Sequence, residues 1–440
     1  MLYHRRCDPV HRRRHLVQGV PRRRGWTGSP PERGPTVGHS PPASRERRGL
    51  SLDDVGALSR TFADPVTKSY LSRVENGRIN LALSKMIPLS RIYEIPPEVL
   101  LERLELDMEL DKVGGPDTAS LDYSELTLRG KTAIDRGYVW DAYAYFRDAV
   151  QVAASSAIFG RLRDHVEQFL CALMNLSGAA RKLGRAQFAL HELKHIHASR
   201  GLSGRLCPLP MERLATAYLA MNDTNNAREC ADAAIAEAEK EQQTEYLGYL
   251  YSSRARIAVE GSDIGGALHL FQKAFEAFRE TGRESECALT LYNLARTYFS
   301  LGRSKSARRA LASADRLAKP LQQIRTCALV RILLGEIEEI ENKPSDAEQH
   351  WRDAVTMARR LSDRAIRFQA EYFLYKQALS NGRGLAARSI EKRLHRDCPW
   401  IPQDVAELDA FRQLSSAHPS RARKRVVAAQ PPFTPTCNPQ

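Results

Sequence analysis

The stretch Ala295-Arg-Thr-Tyr-Phe-Ser-Leu-Gly-Arg-Ser-Lys-Ser-Ala-Arg-Arg-Ala-Leu-Ala-Ser-Ala314 decides the fold. It carries a small residue (Ala295), an aromatic three later (Tyr298), a glycine at a turn (Gly302), then Ala307, the bulky Leu311 and the small Ala314. Gly130, Ala133, Gly137, Ala142, Phe146 and Ala149 repeat those offsets without a gap. Partial copies run through Ala215, Tyr218, Ala227 and Ala234, through Ala255, Ala258, Ala267, Phe271 and Ala274, and through Gly335, Ala347, Trp351 and Ala354. The turn alanines stand at 227, 267, 307, 347 and 387, a spacing of 40. Such a period means stacked helix pairs: small residues let two helices approach where they cross, and the bulky residue fills the gap to the next pair.

These offsets resemble the tetratricopeptide repeat family over 121–396. The family's unit is about 34 residues, so each pair here carries longer helices. Seven units are expected, with an irregularity around Leu183-Gly184 and a polar capping unit at the end, where Glu391 takes the bulky position. The resemblance implies a concave groove lined by the first helix of each pair. Counting from the small residue of each first helix, Asn175, Arg213, Arg256, Tyr292, Asn293 and Arg296 face it. Asparagine amides clamp an extended backbone and arginines take carboxylates, which suits a peptide or protein effector. The alternative is a solvated polar face with no ligand.

A second region stands out ahead of the repeats: Val66-Thr-Lys-Ser-Tyr-Leu-Ser-Arg-Val-Glu-Asn-Gly77. Thr67 is placed to cap a helix, Leu71 and Val74 recur at helical spacing to face a core, and Gly77 after Asn76 is a left-handed stop. The opposite face is polar. Lys68, Ser69, Ser72 and Arg73 present hydrogen-bonding groups of the kind that reach base edges in a major groove, and Arg78 and Asn80 are placed to hold phosphates. Upstream, Ser51 and Asp54 form a capping box opening a short helix with Leu52, Val55 and Leu58 on its apolar side. Downstream, 84–101 reads as two more short helices split at Ile95-Pro96.

Together, the runs LSLDDVGALS, VTKSYLSRVENGRIN and LSRIYEIPPEVLL resemble the phage-repressor and Cro-like (Xre-type) helix-turn-helix family over 43–104. The resemblance implies a five-helix lambda-repressor-like domain that binds double-stranded DNA, with base-reading positions on Lys68, Ser69 and Arg73. It also implies a pair between Glu75 and Arg45 of the first helix, and a homodimer. Two departures are visible: Pro41-Pro42 shortens the first helix, and Arg60–Pro65 lengthens the turn between the paired helices. They motivate the alternatives of a small bundle serving only dimerisation, or a repeat scaffold with a degenerate helix-turn-helix.

The chain of 440 residues has a net charge of +14, concentrated at its ends. Residues 1–48 carry twelve arginines against three acids, and residues 416–440 add four basic residues and no acid, leaving the middle near +1. Segment 1–42 reads as a disordered basic arm or a start placed too far upstream, because Pro-rich, Arg-rich sequence cannot bury a core. Its prolines disfavour an amphipathic targeting helix. Residues 105–120, with Gly114-Gly-Pro116, read as a linker and 397–440 as a largely disordered basic extension. The eight cysteines show no two-residue spacing, so neither a zinc cluster nor a disulfide framework is expected. His191-Glu-Leu-Lys-His195 matches the zinc-protease pattern, but it falls in a repeat's second helix beside Lys194 with no third ligand in view. Gly261, Gly265 and Gly266 shape a repeat turn rather than a phosphate loop. The expectation is an all-α, cytoplasmic, non-enzymatic transcription regulator without metal or cofactor and away from membranes.

Overall fold

The structure is a computed structural model that describes residues 45, 48–75, 79, 81–159, 163–198 and 208–417. Every regular element among the described residues is helical. Four helices come first: α1 (Leu52–Ser59), α2 (Lys68–Glu75), α3 (Leu83–Tyr93) and α4 (Pro97–Val113). Arg45 is helical, but the rest of the expected first helix, Pro41-Pro42 included, lies outside the described residues. The capping box forms, with Asp54 N–H on Ser51 Oγ at 3.1 Å and Ser51 N–H on Asp54 Oδ2 at 2.7 Å. Leu58 departs from expectation: it is 49% exposed, and the buried position after Val55 is Ser59. Ser59 Oγ accepts from Val66 N–H (2.9 Å) and lies within hydrogen-bond reach of Gly56 O and Val66 O, so a hydroxyl closes the lengthened turn. Lys85 holds the same turn from α3 by pairing with Asp64 and donating to Pro65 O at 2.7 Å.

Helix α4 corrects the boundary read from sequence. Residues 105–113, expected as linker, are its second half, because Leu106 and Leu110 are buried in the core that this domain shares with the first repeats. Leu106 is fully buried, and burial of this kind contributes about 1.5–3 kcal/mol per side chain.

Seven helix pairs follow: α5 (Tyr123–Arg136) with α6 (Val139–Phe159), α7 (Arg163–Lys182) with α8 (Ala186–Ala198), α9 (Pro208–Ala220) with α10 (Thr224–Lys240), and α11 (Thr244–Glu260) with α12 (Ile264–Glu280). The last three are α13 (Glu284–Ser300) with α14 (Ser304–Ala318), α15 (Ile324–Ile340) with α16 (Pro344–Arg360), and α17 (Arg364–Ser380) with α18 (Gly384–Asp397). The small-and-bulky pattern does what the sequence implies. A Cβ on Gly130 would lie 2.4 Å from Phe146 Cε1, and one on Gly335 would lie 2.3 Å from Trp351 Nε1, so each bulky ring rests on bare backbone. The turn alanines Ala227, Ala267, Ala307, Ala347 and Ala387 are all buried. Left-handed residues close the joints at 222, 242, 262, 282, 302, 322, 342, 362 and 382, a period of 20.

The superhelix curves far enough to bring its ends together. The turn at Gly137 in unit one meets Arg325 and Leu361 of unit six so closely that a Cβ on Gly137 would lie 2.6 Å from Arg325 Cβ. Of the extension expected to be largely disordered, 398–417 departs from expectation, and 418–440 lies outside the described residues. After a 3-10 turn at Cys398–Trp400, α19 (Ala406–Ala417) packs on α17, because Ile401, Leu408 and Phe411 supply an apolar face that is buried. Among the described residues no helix is long and apolar enough to cross a membrane.

Candidate DNA-reading face and effector groove

Helix α2 is built to show one face. Thr67 Oγ1 accepts from Tyr70 N–H at 3.1 Å and starts the helix, while Leu71 and Val74 are fully buried beneath it. Tyr70 Oη accepts from Ala82 N–H at 2.7 Å, pinning the chain where it returns from the helix end. Glu75 closes the last turn through a two-point pair with Arg45, Nε to Oε1 at 2.9 Å and Nη2 to Oε2 at 3.2 Å. Arg45 Nη1 also donates to Leu50 O at 2.8 Å, so one guanidinium ties the chain before α1 to the end of α2. The pair that the family resemblance implied is therefore present.

Lys68, Ser69 and Arg73 are exposed and Ser72 is half-buried, all on the solvent side of α2. Lys68 Nζ meets Asp53 Oδ2 at 2.6 Å with both side chains mostly in water, a contact readily exchanged for a phosphate. Arg73 has no hydrogen bond or ion pair among the described residues. Arg78 and Asn80 lie outside the described residues.

The groove residues are spread over α7 (Asn175), α9 (Arg213), α11 (Arg256) and α13 (Tyr292, Asn293, Arg296). Tyr292 is buried; Asn175 and Asn293 are half-buried. Two of the arginines expected to face an open groove are already engaged by the chain's own C-terminal segment. Arg256 Nη2 lies 2.8 Å from Asp404 Oδ2, and Arg296 Nη2 lies 3.4 Å from Glu407 Oε1, which also accepts from Gln369 Nε2 at 3.0 Å through its other oxygen. Arg213 Nε is 3.4 Å from Glu212 Oε2.

The surroundings are rich in cations. Burial, reinforced by Arg256 and Arg213 and opposed by Asp404, lowers Arg181 to about 10. Burial, with Arg325, Arg181 and Arg213 nearby, depresses Lys182 to about 7. On the acidic side, burial lifts Glu336 to about 7, Arg296 opposing and Glu407 adding to the rise. Sequence reading missed Arg181, Lys182, Asp404 and Glu407. One signal was available: Asp404-Val-Ala-Glu-Leu408-Asp-Ala-Phe411 has helical apolar spacing beside an acidic edge.

The zinc-protease pattern resolves differently. The rings of His191 and His195 meet edge to face at 4.6 Å, Glu192 is buried in the field of Arg103, and no metal-binding group of His, Cys, Asp or Glu occurs among the described residues.

Residues 43–104 match the family model described as a helix-turn-helix domain. Curated protein sequences give no match. Among solved structures the chain is similar to a Rap protein complexed with competence and sporulation factor, at 13% identity, over 80% of this chain and 98% of that one, with a TM-score of 0.51. It also aligns with PlcR of Bacillus thuringiensis in complex with the peptide PapR7 and DNA, at 13% identity over 66% of this chain and 96% of that one, TM-score 0.39. A tetratricopeptide-sensor ATPase of Pyrococcus horikoshii aligns at 13% identity over 82% of this chain and 53% of that one, TM-score 0.45. The chain thus carries a helix-turn-helix domain ahead of a tetratricopeptide-like solenoid.

Proposed function

We propose that the protein is a sequence-specific regulator of transcription in the Xre manner, cytoplasmic and homodimeric, whose solenoid takes a peptide effector. The observation that carries the DNA half is the exposed Lys68, Ser69 and Arg73 face, mounted on a helix whose other side is fully buried and whose end is tied by Arg45 to Glu75. Arg73, with no hydrogen bond or ion pair among the described residues, suits a bidentate guanine contact of about 1–3 kcal/mol. Support for the peptide half comes from the arginines of the concave side and from a solenoid of like fold, the Rap protein solved with competence and sporulation factor. The two-point Arg45 to Glu75 pair and the capping box hold the fold on which a reader of DNA depends.

The test is selection of bound DNA fragments by the purified chain at about 150 mM salt, where non-specific phosphate binding weakens. A shared palindromic motif is expected, with half-sites about one helical turn apart. Lys68→Ala with Arg73→Ala should abolish motif binding and leave the helical melt unchanged. Binding without a motif, or a motif indifferent to both substitutions, rejects the reading.

A further inference from the structure

We propose that the concave face of units four to seven is a site for an acidic peptide, and that the chain's own segment Pro399–Phe411 is a tethered stand-in for that ligand. The inference deepens the peptide-effector reading above and rests on it for its regulatory consequence.

The ladder comes from the repeat itself. Arg256, Arg296, Glu336 and Lys376 are each 40 residues apart and occupy the same register on α11, α13, α15 and α17. Asp404 sits on Arg256 and Glu407 on Arg296, so two carboxylates three residues apart on the segment match two guanidiniums one repeat apart on the groove. Leu408 and Phe411 anchor the same segment on unit seven, where the Phe411 ring meets Phe368 at 5.7 Å and Tyr375 at 5.8 Å.

The stand-in leaves the site incompletely satisfied. Arg296 Nη1 and Glu336 Oε1 are buried 3.6 Å apart without a hydrogen-bond partner. Arg181 adds positive charge beside Asp404, while Glu260 stands near Asp404 and Arg256 as an acid. Arg296 Nη1, paired at 3.6 Å with Glu336 but making no hydrogen bond, is a donor open to one more carboxylate of a free peptide. The segment is held chiefly through side chains, with the backbone carbonyl of Pro399 accepting from Arg185 Nη1 at 2.8 Å, so its exchange for a ligand breaks no solenoid helix.

Occupancy is felt at the DNA-binding domain. The Trp400 ring lies 3.7 Å from the Arg185 guanidinium and 4.4 Å from that of Arg364. Arg185 pairs with Glu105 at 3.1 Å and Arg364 pairs with Glu109, both on α4. Departure of the segment removes the plane that packs these arginines against α4.

The probe is a fluorescent peptide of residues 399–412, titrated into the full chain and followed by anisotropy. D404N/E407Q, which loosens the stand-in, should bind it about tenfold tighter than the wild type. Adding Arg256→Ala and Arg296→Ala should reverse that gain, and a peptide with Asn and Gln at the two acidic positions should not bind. Hydrogen exchange in Ala406–Ala417 of the wild-type chain should quicken under excess probe, a readout that stands even if a variant misfolds. Equal affinity in wild type and D404N/E407Q, arginine-independent binding, or unchanged exchange overturns the proposal. DNA affinity is measured alongside: arginine-dependent peptide binding that leaves it unchanged keeps the site and removes the effector reading instead.

Discussion

Single residues hold α2 in place and tune the charge around Arg296. Arg45 and Glu75 are 14% and 8% exposed and meet at two points, so neither charge is left to water. Arg45→Ala should cost about 2–3 kcal/mol by stranding Glu75, read as a shift in the urea midpoint with an unchanged slope. Glu336 supplies a pH dependence. Its ordinary value is 4.5 and the folded one is about 7, so the native state holds the proton more tightly than the unfolded chain. Ionisation therefore carries no penalty below pH 4.5, a growing one as pH rises towards 7, and the full one above. Glu336→Gln should flatten that fall in stability, on the order of 1–3 kcal/mol between pH 4.5 and 8 by denaturant titration. The Arg45 to Glu75 pair could be named from the family resemblance, whereas Glu336 could not, because its pKa follows from what is packed over it.

At the scale of the element, the repeats obey two periods, and only one is written in residue identity. The 40-residue spacing of alanines is legible because a buried crossing point accepts little else. The 20-residue spacing of left-handed joints is hidden, because Asn, Gln, Ser and Gly all serve there. Gln242 and Gln322 each sit at φ 54°, a conformation that costs a side-chain-bearing residue about 1 kcal/mol. Gln242→Gly and Gln322→Gly should each stabilise by about 0.5–1 kcal/mol in thermal unfolding, and a loss would show that the glutamine side chains do more than fill a turn. Gly335→Ala should act the other way, destabilising by about 1–3 kcal/mol, because its methyl has no room above the Trp351 indole.

At the scale of the molecule, the helix-turn-helix domain and the first repeats form one body. Asp107 of α4, 2% exposed, accepts from Arg103 Nε at 3.3 Å and from Tyr143 Oη of unit one at 3.2 Å, with Arg147 at 3.7 Å. Glu102 Oε2 accepts from Phe188 N–H at 2.7 Å, so a side chain of the helix-turn-helix domain caps a repeat helix. Asp107→Ala should lower stability by about 3–5 kcal/mol by leaving buried arginine charge uncompensated, with faster hydrogen exchange in α4 and α6 together. Exchange confined to α4 would mean the two parts unfold separately. The sequence by itself determined the helix pairs, their number, the helix-turn-helix and the polar face of α2, because each rests on contacts between residues close in the chain or on a repeating period. Only the tertiary structure decided that α4 belongs to both domains, that unit one meets unit six, and that the C-terminal segment pairs with Arg256 and Arg296. Those contacts join residues tens to hundreds of positions apart, and the charge or ring at one end carries no mark of its partner until superhelical curvature brings them together.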